Sequence, residues 1–207
     1  ALDSCGNISN ATIAKFIVRD TTPPVWINEP RNLVVECDGL GNVDELNRWL
    51  AANGNGVILE DPCNGTVTYE HDLVREYDRC SNTDSVIYRF TARDCSGNTS
   101  TREASFIIRD TRPPTIVSPA RDTTLDCANL SGNNDDELIS WLNQRAGFNT
   151  TDECSDIINY SNNYDVNNWV LGCGNTKYID VTFIATDDCG NVTRDLARFA
   201  IVDTDPP

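Results

Sequence analysis

The sequence has no methionine, a single histidine (His71), and only 16 lysines and arginines against 32 aspartates and glutamates. The formal net charge is −16. Each shortage excludes something. One histidine cannot supply a mixed-ligand zinc site, and His71 sits in a polar strand pattern, Glu70-His71-Asp72, that reads as surface. The deficit of positive charge repels phosphate backbones and anionic lipid headgroups, which argues against nucleic-acid or membrane-surface binding. No apolar run approaches the roughly 18 residues needed to span a bilayer as a helix. Ser-x-x-Lys, Gly-x-Ser-x-Gly and Cys-x-x-Cys are all missing. Abundant carboxylates without such partners are a solvated surface, and no enzyme is expected. Without an initiator methionine or a signal segment, the sequence reads as a processed chain or a slice of a longer one.

Cysteine, by contrast, is plentiful, at nine. With metal disfavoured, disulfides are the natural use, which implies an oxidising, extracellular setting. The number is odd, so at least one cysteine pairs outside the chain or stays free.

The chain repeats itself. Residues 1–24, 92–114 and 185–207 each carry Asp, then Gly-Asn, then Ala-x-Phe-x-[Ile/Val]-x-Asp, then Thr and Pro-Pro. The aligned positions are Ala14-Phe16-Val18-Asp20, Ala104-Phe106-Ile108-Asp110 and Ala197-Phe199-Ile201-Asp203. Upstream, Cys37 matches Cys127, Cys63 matches Cys154, Cys80 matches Cys173 and Cys95 matches Cys189. The predicted division is 1–24, the closing hairpin turn and last strand of a preceding repeat or a donated strand; 25–114, repeat 1; and 115–207, repeat 2. Cys5 lies on the first piece.

Period-2 alternation predicts strands. Val86, Tyr88, Phe90 and Ala92 alternate with Ile87, Arg89 and Thr91, and Ile179, Val181, Phe183 and Ala185 with Asp180 and Thr182. Each leads through Gly-Asn into the Ala-x-Phe strand, a hairpin signature. Earlier strands are expected around Leu33-Val35-Cys37 and Thr123-Leu125-Cys127, and from 66 to 73 and 157 to 164. Leu46, Trp49 and Leu50, at helical spacing behind Asp44-Glu45, predict a short helix. Trp49 and Trp141 are expected to plug the core. The architecture is mostly β: tandem immunoglobulin-like β-sandwich modules, each with one short helix insert. Pro-Pro pairs at the boundaries predict short, stiff joints.

These motifs resemble the hyalin-repeat-like modules found in tandem in secreted surface proteins of Bacteroidota. The most specific stretches are Asp20-Thr21-Thr22-Pro23-Pro24 and Ile184-Ala185-Thr186-Asp187-Asp188-Cys189-Gly190-Asn191. The resemblance covers essentially the whole chain and implies immunoglobulin-like adhesion modules without catalysis. One departure is Cys95-Ser96-Gly97, where the cysteine is moved one place. The resemblance also implies O-glycosylation at Asp-Ser/Thr sites such as Thr21, Ser85 and Thr123.

An immunoglobulin-like strand order places Cys37, Cys63 and Cys95 at one end of repeat 1, and Cys127, Cys154 and Cys189 at one end of repeat 2. Cys80 and Cys173 fall nominally at the opposite ends. The strand between Cys80 and Cys95 spans about 30 Å, beyond the roughly 7 Å Cα reach of a disulfide. Either the 75–84 loop climbs back, or Cys80 reaches the neighbouring repeat. The pairing itself stays open. Carboxylates near predicted repeat ends (Asp20, Asp38, Asp61, Asp94, Asp110, Asp187 and Asp203) are candidate calcium ligands, though Asp at such places also simply caps turns. Asn-x-Ser/Thr sites include Asn10, Asn64, Asn129, Asn149 and Asn159.

The expected function is structural: a subunit of an extracellular fibre, filament or stalk of stacked, disulfide-bonded repeats, whose partners are copies of itself or adjacent repeats, head to tail. The alternative is a cell-surface adhesin that grips a glycan or a host protein through Tyr160, Tyr164 and Trp169 of repeat 2.

Overall fold

A computed structural model of the chain describes residues 1–59, 66–127 and 134–205. In repeat 1 the elements are β1 (Val25–Asn28), β2 (Leu33–Glu36), α1 (Val43–Ala51), β3 (Val57–Leu59), β4 (Thr68–Asp78), β5 (Asp84–Arg93) and β6 (Thr99–Arg109). Repeat 2 follows the same order with β7 (Thr115–Ser118), β8 (Thr123–Asp126), α2 (Asn134–Asn143), β9 (Asn149–Thr151), β10 (Ile158–Asn162), β11 (Val170–Leu171), β12 (Lys177–Asp187) and β13 (Val192–Val202).

Both repeats are immunoglobulin-like β-sandwiches. One sheet runs β2-β6-β5-β4 and its counterpart β8-β13-β12-β10, with β11 also on β12; the small opposing sheets are β1-β3 and β7-β9. The long hairpins are in register as the alternation requires: Phe90 faces Arg102 across β5/β6, and Val181 faces Ala197 across β12/β13. The decisive feature is that β2 pairs in parallel with β6, and β8 with β13. The second strand and the last strand of each repeat therefore finish at the same end.

The cores form where the sequence alternation points inward. Phe90, Ala92, Ala104, Phe106 and Ile108 are buried around Trp49 in repeat 1. Ile179, Val181, Phe183, Ala185, Ala197, Phe199 and Ile201 surround Trp141 in repeat 2. Each tryptophan meets a phenylalanine nearly edge-on: Trp49 and Phe90 at 5.1 Å, Trp141 and Phe183 at 5.2 Å between centroids. That geometry suits the ring quadrupoles. Each indole N–H is satisfied by a backbone carbonyl, Arg31 O at 3.0 Å and Arg121 O at 3.1 Å. The helix exists to carry this plug: its isolated length is marginal, and packing of the Trp face stabilises it.

Two departures from the sequence reading matter. β4 continues to Asp78, with a register irregularity between Leu73 and Arg75, so residues 75–78 are strand and the turn is confined to 79–83. An edge strand tolerates the charged run Arg75-Glu76 because one backbone edge faces solvent. Residues 1–24 hold only the isolated bridge Leu2–Ile8; Ile13, Phe16 and Val18 are exposed and belong to no strand.

Candidate functional site at the junction of the repeats

The parallel pairing decides where the cysteines go. Cys37 follows β2, and its N–H donates to Arg109 O at the end of β6 (2.7 Å). It therefore lies at the far end of repeat 1, facing repeat 2, and not beside Cys95 as the assumed strand order implied. Cys80, in the β4–β5 turn, lies at the same end. Both bridge across the junction: Cys37 with Cys154, Cα atoms 6.0 Å apart, and Cys80 with Cys189, 5.1 Å apart. Of the two alternatives for Cys80, reaching the neighbouring repeat is the one realised. Cys5, Cys95, Cys127 and Cys173 are free thiols. Cys63, Asp61, Asn64 and Asn129 lie outside the described residues.

The cysteine turn is built locally. In Cys80-Ser81-Asn82-Thr83, Ser81 adopts a positive φ of 51°, and the Thr83 N–H donates back to Cys80 O at 3.1 Å. This turn faces repeat 2 directly: the Asn82 N–H donates to Cys154 O (3.2 Å), and the Ser155 hydroxyl donates to Ser81 Oγ (3.1 Å). Ser155 Oγ in turn accepts from the Asp188 N–H. Gly39 (φ +72°) packs so closely that a Cβ there would stand 2.5 Å from Glu153 O.

The linker is docked as well as bridged. The hairpin turns at Asp3, Asp94 and Asp187 share one construction. Each Asp accepts the backbone N–H of the Asn four residues on, at 2.8 Å in all three, and the Asn side-chain N–H at 2.8–2.9 Å. A glycine with φ of 84° to 93° closes each turn, a conformation that costs a side chain dearly. The same Asn side chain then reaches the preceding linker. Asn191 Nδ2 donates to Asp110 O (3.3 Å), and Asn98 Nδ2 to Thr22 O (3.3 Å). Pro24 and Pro114 are fully buried. The Pro-Pro joint is thus part of the module it enters.

Among the described residues, the proposed calcium carboxylates do not gather into one site. Asp3, Asp94 and Asp187 spend their oxygens on the turn. Asp38 accepts backbone N–H groups from Leu40 and Asn42 ahead of α1, and these hold its carboxyl below the ordinary carboxylate range. Asp203 is exposed, with its carboxylate on the Asp205 N–H. Asp20 and Asp110 differ: in each, one oxygen accepts from the linker N–H two residues on, while Oδ2 is buried without a hydrogen-bond partner. Asp110 also lines a junction cavity of about 290 Å³, together with Thr151, Asp152, Glu153 and Cys154 among others. Ligand atoms of Asp110, Asp152 and Cys154 lie within 4.8 Å of one another. Burial pushes the Asp110 carboxyl up, and the charges of Asp152, Asp187 and Glu36 add to the push. The Cys154 sulfur is committed to its disulfide, so the hard donors are the two carboxylates, fewer than the six to eight oxygens calcium takes. The sequence reading missed Asp152, although it is the repeat mate of Asp61 in the shared Asp-x-Cys motif.

The remaining candidates scatter. Asn10, Asn159 and Thr21 are exposed, Thr123 is half-buried, and Ser85 is buried. Asn149 is exposed, and its side-chain oxygen accepts from the Tyr160 hydroxyl. Tyr160, Tyr164 and Trp169 are half-buried against the core of repeat 2. Trp169 is edge-on to Phe199, with the Lys177 ammonium 4.4 Å from its ring centre.

No helix among the described residues is long and apolar enough to cross a membrane. The two disulfides are consistent with an extracellular β-sandwich protein. No family model and no curated protein matches the chain. Among solved structures, it is similar to Drosophila N-cadherin EC1-4 (11% identity, TM-score 0.29, covering 87% of this chain and 50% of that one) and to the human desmocollin-1 ectodomain (9%, 0.31, 99% and 47%). It is also similar to the Ig1-2 module of the Drosophila receptor protein tyrosine phosphatase DLAR (9%, 0.25, 87% and 100%). The chain spans about half the length of the two cadherin-type chains. At these scores the likeness adds nothing to what the strand topology already establishes.

Proposed function

We propose that this chain is a structural segment of an extracellular fibre or stalk made of stacked, hyalin-repeat-like modules. The observation that carries the reading is the junction: two disulfides, a docked Pro-Pro linker and a complementary turn fix one repeat on the next. A loosely tethered pair of binding modules needs none of these. The work is mechanical, transmitting tension and holding a reach, while the net charge of −16 keeps the rod soluble. Electron microscopy of native material tests it. A continuous fibre with an axial period of one or two modules is the expected result, and isolated monomers after gentle extraction would overturn it.

The cavity at Asp110 and Asp152 supports calcium as a junction stiffener, with waters completing the shell. The buried Asp110 Oδ2 is the group such an ion would satisfy, so a melting midpoint unchanged by chelator would remove it. The adhesin alternative rests on Trp169, Tyr160 and Tyr164, whose packing against the core already accounts for them. Glycan-array binding that disappears in Trp169→Ala would restore it.

A further inference from the structure

Four cysteines close the junction between the repeats, and the repeat places two of the four again at the far end of repeat 2. Cys127 corresponds to Cys37 and Cys173 to Cys80. Both are thiols; Cys173 is exposed and Cys127 half-buried.

Their surroundings are built as at the observed junction. Cys173-Gly174-Asn175-Thr176 repeats Cys80-Ser81-Asn82-Thr83. The Thr176 N–H donates to Cys173 O at 3.1 Å, the same bond at the same length as Thr83 to Cys80. Gly174 takes a positive φ of 59°, beside 51° at Ser81. The Gly172 N–H donates to Thr176 O as the Arg79 N–H does to Thr83 O. At the other cysteine, β8 runs parallel to β13 as β2 does to β6, which carries Cys127 to the same end. Beside it the Thr204 hydroxyl donates to the Asp126 carboxylate, as the Thr111 hydroxyl does to Glu36. At the observed junction the Asn82 N–H is taken by Cys154 O; Asn175 holds the same place in its own turn.

Resting on the fibre reading, we propose that Cys127 and Cys173 are one preformed half of a second two-disulfide junction. Its other half is a further module of this repeat, presenting cysteines as Cys154 and Cys189 do. Cys127 takes the Cys154-type partner and Cys173 the Cys189-type partner. Each bond forms by thiol–disulfide exchange with a donor disulfide of the glutathione or oxidoreductase class. The protein thiolate attacks one donor sulfur, the partner thiolate displaces it, and two protein thiols become one disulfide. The donor takes the two electrons and the two protons and leaves as two thiols. Cys173, exposed, is the more accessible of the two, and Cys127 is half-buried.

The test is peptide mapping of unreduced protein from its natural source, alkylated during extraction. Both Cys127 and Cys173 are expected in disulfides: Cys127 to a peptide bearing the repeat's Asp-x-Cys motif, and Cys173 to one bearing the hairpin-turn cysteine, as Asp-x-Cys-Gly-Asn or, where it stands as at Cys95, Asp-Cys-Ser-Gly-Asn. Partner peptides from this chain's own sequence identify a second copy, and a related but different sequence identifies another repeat. Either cysteine alkylated as a free thiol, the two joined to each other, or any other partner overturns the proposal. A continuous fibre by microscopy with both thiols free sinks this junction and leaves the fibre reading standing.

Discussion

The two repeats share an element order but not a side wall. In repeat 1, β4 runs for 11 residues along the sheet edge and is exposed throughout. Tyr69, Leu73 and Tyr77 keep 40%, 52% and 43% of their surface. In repeat 2 the same stretch is divided into β10 and β11, and the turn between them lays Tyr164 and Trp169 on the core. The ends behave otherwise. The Asp-to-Asn turns, buried prolines, Cys-x-Asn-Thr turns and parallel second strands are reproduced almost bond for bond. What is repeated is the apparatus of stacking, and what varies is the flank.

The comparison can be broken by experiment. If the cores are equivalent, Trp49→Ala and Trp141→Ala each cost about 3–5 kcal/mol in denaturant unfolding. A much smaller loss in repeat 1 would show that its open flank lets the cavity collapse. Removing Cys80–Cys189 by the double Ser variant is expected to cost about 2–4 kcal/mol, and to resolve a single calorimetric transition into two. A transition that stays single would mean that the Cys37–Cys154 bridge and the linker couple the repeats unaided. Trp169→Ala should cost less than either core tryptophan, about 1–3 kcal/mol, because repeat 1 forms without a counterpart. Gly39→Ala, at φ +72° and against Glu153 O, should cost about 1–2 kcal/mol. The part of the loss due to Glu153 should vanish once the junction disulfides are reduced, and the part due to the positive φ should remain.

The smallest effect is at Asp110. Its carboxyl is raised in the folded state by burial first. Such a group contributes stability below its unfolded value and loses it as pH rises through the folded one. Asp110→Asn, which keeps an acceptor for the Arg112 N–H, should therefore stabilise at pH 7 by about 1 kcal/mol or less. The gain should shrink as the pH falls through the acid range. With saturating calcium the sign should reverse if an ion sits there, a comparison that melting curves with and without chelator make directly.

Much of this was legible in the residues. The repeat, the α1 and α2 helices from Leu46-Trp49-Leu50 and its copy, and the Gly-Asn hairpins all come from local patterns, and local patterns decide them. The cysteine partners were not legible, because they depend on whether β2 joins the sheet parallel or antiparallel to β6. No local propensity records that choice. Placing Cys37 at the wrong end followed from it. Asp152 is legible in the sequence, since Asp-x-Cys occurs in both repeats with Asp61 as its mate. Ser85 fits the Asp-Ser-apolar pattern, but that context does not say which face of β5 it occupies, and the structure buries it.

The junction also alters what a broken backbone means. Residues 110–114 are the one peptide path between the repeats, yet Cys37–Cys154 and Cys80–Cys189 cross the same gap. A protease that cuts the linker leaves two covalent bonds intact, so the pair of repeats is nicked without being severed. The two repeats are joined by three covalent paths, and they separate only when the linker is cut and both disulfides are reduced.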